Sequence, residues 1–193
     1  MAKRILVIDA HPAADRFCSA LAERYAAAAA GAGAKVETIA LRDLSFDPIL
    51  HRGYGPRQDW EPDLERSFAA IERAEHICFV YPTWWGGHPA LLQGFFERVF
   101  LPGKTFRYHA DDPYWDKLLA GRSADVLTTM DSPGWYYRFV NRNGGINRIR
   151  KTILEFVGLE TKVTVFDRVK YSDEKKRAGW LDRAAALGRR VAG

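Results

Sequence analysis

Residues 76–100, HICFVYPTWWGGHPALLQGFFERVF, decide the fold. From His76 to Pro82 the run is apolar without alternation and rich in aromatic and β-branched residues, which predicts a strand buried on both faces. Thr83 to Gly87 then form a turn. Pro89 opens a helix, since proline is tolerated in a first turn whose N–H has no intrahelical acceptor. Phe95, Phe96 and Phe100 are spaced for ordinary packing of that helix. Trp84 and Trp85 sit in the turn beside Gly86 and Gly87, where core aromatics are uncommon, so exposed aromatic surface is expected at the mouth of a sheet.

The same alternation extends in both directions. ILVIDA from Ile5, KVETIAL from Lys35, ADVLTT from Ala124 and KVTVFD from Lys162 predict four more short strands. Between and after them, SALAERYAAAAAGAG, INRIRKTILEFVG and WLDRAAALGRRVA carry helix formers, and the first two stop at glycine. Parallel neighbours need long right-handed crossovers, so strands alternating with helices predict a parallel sheet covered on both faces. Five strands and no glycine-rich fingerprint after the first favour the shorter, flavodoxin-like three-layer winding. The segments Arg52–Pro62 and Leu101–Lys117 are expected to be long loops, and such loops are usually functional or disordered.

Composition bounds the function. At 193 residues and 47% hydrophobic content, one domain spanning residues 1–193 is expected. The net charge of +5 favours anionic partners. Its basic residues form no stripe interleaved with aromatics, which argues against nucleic acid. Two cysteines make a disulfide framework an unsuitable reading. No apolar run is long enough to span a bilayer, and the apolar start at Ile5 is soon interrupted by Asp9 and His11, so a cytoplasmic protein without a membrane span is expected.

In an open α/β sheet, ligands collect beyond the carboxyl ends of the strands, where strand order reverses. Three loops leave such ends. DAHPAADRFCSAL, residues 9–21, leads into a helix N-terminus, which holds phosphate through unpaired N–H groups, with His11, Arg16 and Ser19 as further donors. The alternative use of that loop is structural, with Asp15 capping the helix. The tryptophan turn is the second loop. The third, TTMDSPGWYYRFVNRNGG at 128–145, offers two threonines, Tyr136, Tyr137 and Arg138. A pocket with a phosphate end and an aromatic end suits a flavin.

YPTWWGGHPALLQGFFERVF resembles the flavodoxin-like NAD(P)H:quinone oxidoreductases. AHP and RF after the first strand, TT with a tyrosine eight residues beyond the first threonine, and EFVGL extend the resemblance over nearly the whole chain. The resemblance implies that His11, Arg16, Phe17 and Cys18 lie at the flavin phosphates. It places Pro82, Thr83, Trp84, Trp85 and Gly86 along the isoalloxazine, and Thr128, Thr129, Met130, Asp131 and Tyr136 at the pyrimidine side. It also implies a homodimer in which the partner lends Phe106 and Tyr108, and a ping-pong hydride transfer from NAD(P)H through N5 to a quinone-like acceptor. FAD is the expected cofactor, with FMN the alternative. Tyr136 is the expected donor to the reduced ring and Arg142 the second, standing near where the family often has a histidine. Met130 and Asp131 depart from the two glycines common in that branch. The resemblance leaves two other roles open, an ancillary subunit of a potassium-efflux system and a protein electron carrier.

Overall fold

The computed structural model describes residues 2–55 and 58–193. Five strands form one parallel sheet: β1 (Arg4–Asp9), β2 (Lys35–Ala40), β3 (His76–Pro82), β6 (Ser123–Met130) and β7 (Glu160–Asp167), in the order β2-β1-β3-β6-β7. β3 is buried along its whole length and β6 along all but its first residue, as continuous apolar runs require, whereas the edge strand β2 has no buried residue. Register runs from Ile5 against His76 to Asp9 against Val80, and from His76 against Ser123 to Pro82 against Thr129. The carboxyl ends of β1, β3 and β6 therefore finish side by side.

Successive strand residues point to opposite faces, and each face builds its own core. Leu6, Ile8, Ile77, Phe79, Tyr81 and Val126 pack beneath α2 (Pro62–Arg73) and α3 (Ala90–Val99), where Phe95, Phe96 and Phe100 are also buried. Ile5, Val7, Cys78, Val80, Leu127 and Phe166 face α1 (Phe17–Gly31) and α6 (Glu174–Ala192). The three-layer flavodoxin-like architecture expected from sequence is the one observed. No helix of the described residues is long and apolar enough to cross a membrane.

Several local expectations change. Pro89 is the N-cap of α3 rather than its first helical residue. The helix expected over 146–158 begins as α5 (Gly144–Asn147) and winds on as a π-helix through Arg148–Leu154. Leu101–Lys117 is not an unstructured loop, since β4 (Phe106–Tyr108) and β5 (Trp115–Lys117) pair within it as an antiparallel hairpin. Its Trp115 ring stacks on Phe156 at 4.5 Å and donates Nε1–H to the Phe156 carbonyl at 2.9 Å. Of the expected loop Arg52–Pro62, Pro56 and Arg57 lie outside the described residues.

Candidate functional site

The chain runs from β1 to β2 on one side and returns to place β3 on the other side of β1, so the order reverses between β1 and β3. Loops leaving those two ends diverge and open a crevice. The first is organised by Asp9, whose buried carboxylate accepts from His11 N–H at 3.1 Å, Ser19 Oγ–H at 2.6 Å and the Arg42 guanidinium at 2.5 Å. Arg42 balances the charge that would otherwise repel an anion. Burial lowers the His11 pKa below its ordinary value. Nδ1 of His11 accepts from Ala13 N–H at 3.0 Å, which places the ring proton on Nε2.

Asp15 does not cap α1. It adopts φ +55°, and Arg16, exposed and extended, is the N-cap with no side-chain capping bond. The first turn carries no acidic residue, and the first intrahelical bond is Ala20 N–H to the Arg16 carbonyl at 3.1 Å. Such a terminus offers N–H donors and partial positive charge to an anion. Phe17 is half-buried and packs against Trp180 at 5.8 Å. The Cys18 thiol lies 3.2 Å from Thr129 Oγ1, and burial pushes its pKa up to about 12, so it serves as a neutral packing group.

The second loop is a two-residue reversal. Trp84 N–H donates to the Gly87 carbonyl at 2.8 Å and Gly87 N–H to the Trp84 carbonyl at 2.9 Å, with Trp85 at φ +51° and Gly86 at φ +78°. Both central residues are left-handed, the geometry usually served by Asn-Gly. A bulky residue there costs on the order of 1–3 kcal/mol. Trp85 is nevertheless fully exposed, and Trp84, 48% exposed, meets His11 edge to face at 5.6 Å. The turn thus displays large apolar surface at the expense of backbone strain, which rules out core packing as its purpose.

Paired threonines bind the loops together. Thr83 Oγ1 lies 2.7 Å from Thr128 Oγ1, and Thr83 N–H donates to the Thr129 carbonyl at 2.7 Å. Met130 is buried at the end of β6, while Asp131 is exposed and accepts from Lys170 N–H at 2.8 Å, a contact that ties it to the chain after β7. Beyond β6, α4 (Gly134–Phe139) presents Trp135 and Tyr136 outward, their rings edge to face at 5.8 Å. Tyr136 is 41% exposed, and its hydroxyl has no hydrogen-bond partner among the described residues. Arg142 is exposed at φ +51°, with its carbonyl accepting from Asn147 Nδ2–H at 3.0 Å.

Structure brings His11, Arg16, Cys18, Pro82 to Gly86 and Thr128 to Met130 to one end of the sheet. Phe106 and Tyr108 meet edge to face at 5.2 Å but differ in burial. Phe106 is 5% exposed and packs against Phe156 at 5.1 Å, so its own core accounts for it; Tyr108 is 62% exposed. Arg42 is not among the residues expected from sequence, and Asp9 carried no role there. Asp9 was legible as a carboxylate at a strand end, but Arg42 reaches it only through the pairing of β2 with β1. The donor set fits a flavin mononucleotide unit: an uncapped helix start for phosphate and a planar aromatic wall two loops away.

The chain is 27% identical over 191 residues to an uncharacterized NAD(P)H oxidoreductase of Haemophilus influenzae, covering 93% of this chain and 91% of that protein. It is 27% identical over 118 residues to the FMN-dependent NADH:quinone oxidoreductase 2 of Listeria innocua, covering 56% of this chain and 53% of the relative. Among solved structures, Smu.1420 of Streptococcus mutans UA159 superposes with a TM-score of 0.83 at 25% identity, over 97% of this chain and 99% of the other. The model of the Flavodoxin_2 family, described by its flavodoxin-like fold, matches residues 3–188, and the chain belongs to that family.

Proposed function

We propose that this protein is a flavin-dependent NAD(P)H oxidoreductase that passes hydride to a quinone or similar small acceptor, with residues 1–193 acting as one flavin-binding unit. The observation that carries the reading is the strained, exposed Trp84–Trp85 turn beside an uncapped α1 terminus, both at the strand-order reversal. The names of the Haemophilus and Listeria relatives support it. The Listeria name also favours FMN over the FAD expected from sequence.

When bound, the flavin supplies the centre that accepts and releases hydride, and the protein supplies placement and electrostatics. Arg16 and the first N–H groups of α1 bind the phosphate. Trp84 walls the ring site beside His11, and Trp85 offers a face to reductant and acceptor, which use the same space in turn. The Tyr136 hydroxyl and the Arg142 guanidinium donate hydrogen bonds where negative charge develops. We further propose a cytoplasmic homodimer, with Tyr108 on the exposed hairpin reaching the partner's site; sedimentation as an active monomer at micromolar concentration refutes the shared site.

An absorbance spectrum after incubation with FMN and FAD, followed by anaerobic NADH and NADPH addition, tests the function. Flavin uptake and bleaching are expected, and a protein that takes up neither flavin refutes the reading. Tyr136→Phe is expected to retain flavin and slow its reduction about tenfold to a hundredfold, since one organised donor is worth about 2.7–4 kcal/mol and Arg142 partly substitutes. An unchanged reduction rate removes Tyr136 from the mechanism.

A further inference from the structure

Tyr136 and Tyr137 are neighbours on α4, and a helix turns about 100° per residue, so they face different ways. Tyr136 faces out, whereas Tyr137 is 3% exposed. Its hydroxyl has one proton, donated to the Gly86 carbonyl at 2.7 Å, and the same oxygen accepts from Gly145 N–H at 3.1 Å. A single oxygen therefore joins the left-handed turn after β3 to the start of α5. Closeness enforces the junction: a Cβ added to Gly145 would stand 2.0 Å from the Gly86 oxygen and 2.8 Å from the Tyr137 hydroxyl. Gly86 is also the second central residue of the turn that carries Trp85.

The turn's own two hydrogen bonds close it but do not orient it against the sheet. On its N-terminal side, Thr83 is held by Thr128 and Thr129. On its far side, the Gly86 carbonyl is the hydrogen-bonded attachment, and Tyr137 is its donor. We propose that Tyr137 is a positioning residue: its hydroxyl holds the Gly86 peptide so that Trp84 stays edge-on to His11 and Trp85 stays displayed toward the reductant and acceptor. This role rests on the oxidoreductase reading for its catalytic consequence but not for its geometry. Tyr137 acts on the reaction only through the turn.

The test uses Tyr137→Phe, which keeps the buried ring and removes the hydroxyl, and Gly145→Ala, which keeps the hydroxyl and crowds the Gly86 oxygen. Full-length protein labelled with 5-fluorotryptophan is observed by fluorine NMR without flavin, with lines assigned through Trp84→Phe and Trp85→Phe. In both variants the Trp84 and Trp85 lines are expected to shift or broaden, while those of Trp60, Trp115 and Trp180 stay in place. With FMN added, Tyr137→Phe is expected to keep wild-type flavin stoichiometry, lower the rate of flavin reduction by NADPH about tenfold and raise the acceptor KM. Unmoved Trp84 and Trp85 lines in Tyr137→Phe overturn the proposal, and so does an unchanged reduction rate at full flavin occupancy. Moved lines in a protein that takes up no flavin uphold the clamp and refute the oxidoreductase reading instead.

Discussion

Arg98 is fully buried near the C-terminal end of α3, an unusual place for a guanidinium. It donates to the Asp47 carbonyl, to the Asp59 carbonyl at 2.8 Å, and to both Glu61 oxygens at 2.8 and 3.2 Å. Its own carbonyl accepts from Trp60 Nε1–H at 2.6 Å. One side chain thereby ties the strap between β2 and α2 to the helix. Arg98→Met keeps the stem's packing and removes the charge and all four donations. Each bond to a charged group is worth about 1.5–3 kcal/mol, but the strap lies at the surface and Glu61 is 31% exposed, so water recovers part of the loss. A net loss of about 3 kcal/mol is expected. At about 2–4 °C per kcal/mol for a chain of this size, that lowers Tm by about 6–12 °C. Calorimetry measures the shift, and hydrogen exchange should show lost protection around Asp47 and Glu61. Burial alone would raise the Glu61 pKa, but hydrogen bonds from Arg98 and the Asp47 amide outweigh it and lower the folded-state value. The pair's contribution is therefore present above the unfolded carboxylate's pKa, about 4.3, and lost as pH falls through the lower folded value. A Tm change under about 2 °C in Arg98→Met, with unaltered exchange, would show that the Arg98 side chain does not hold the strap.

Gly94→Ala should destabilise the same strap from the other side, because its Cβ would stand 2.6 Å from the Pro48 carbonyl oxygen; a melt as stable as wild type contradicts that closeness. Burial lowers the His76 pKa to about 4, so as pH falls the unfolded chain, with a pKa near 6.5, takes up the proton first. Stability is therefore intact above about pH 6.5 and declines by about 3 kcal/mol toward pH 4, and melts of His76→Gln should show a flatter slope over that window. Trp85→Asn relieves the left-handed strain and is expected to raise or preserve Tm while lowering acceptor turnover; a fall in Tm with unchanged turnover reverses the assignment.

Much of the architecture was legible from local chemistry. Apolar runs such as Ile77 to Tyr81 have no polar face, and Gly33, at φ +94° just past α1, favours a helix end there, so strand and helix alternation follows from short windows. α2 was not expected from sequence: its residues are largely charged or small, and only Leu64, Phe68 and Ile71 mark the buried helical face. The β4–β5 hairpin escaped because strands of three residues carry little periodicity and depend on the stacking of Trp115 on Phe156.

That three loops leave the neighbouring carboxyl ends of β1, β3 and β6 follows from the order of elements. Which side chains face the crevice did not follow. Tyr136 and Tyr137 are chemically equivalent in the sequence, and only the packing of α4 decides that one hydroxyl meets Gly86 while the other stays exposed. Phe106 and Tyr108 share one face of a short strand with their rings in contact, yet packing against Phe156 buries the first and leaves the second exposed. Arg42 meets Asp9, and Arg98 meets Glu61, across distances in the chain that no window spans. Element type is a property of neighbours in sequence, whereas burial, partner and facing direction depend on contacts made only once the sheet and its helices are assembled.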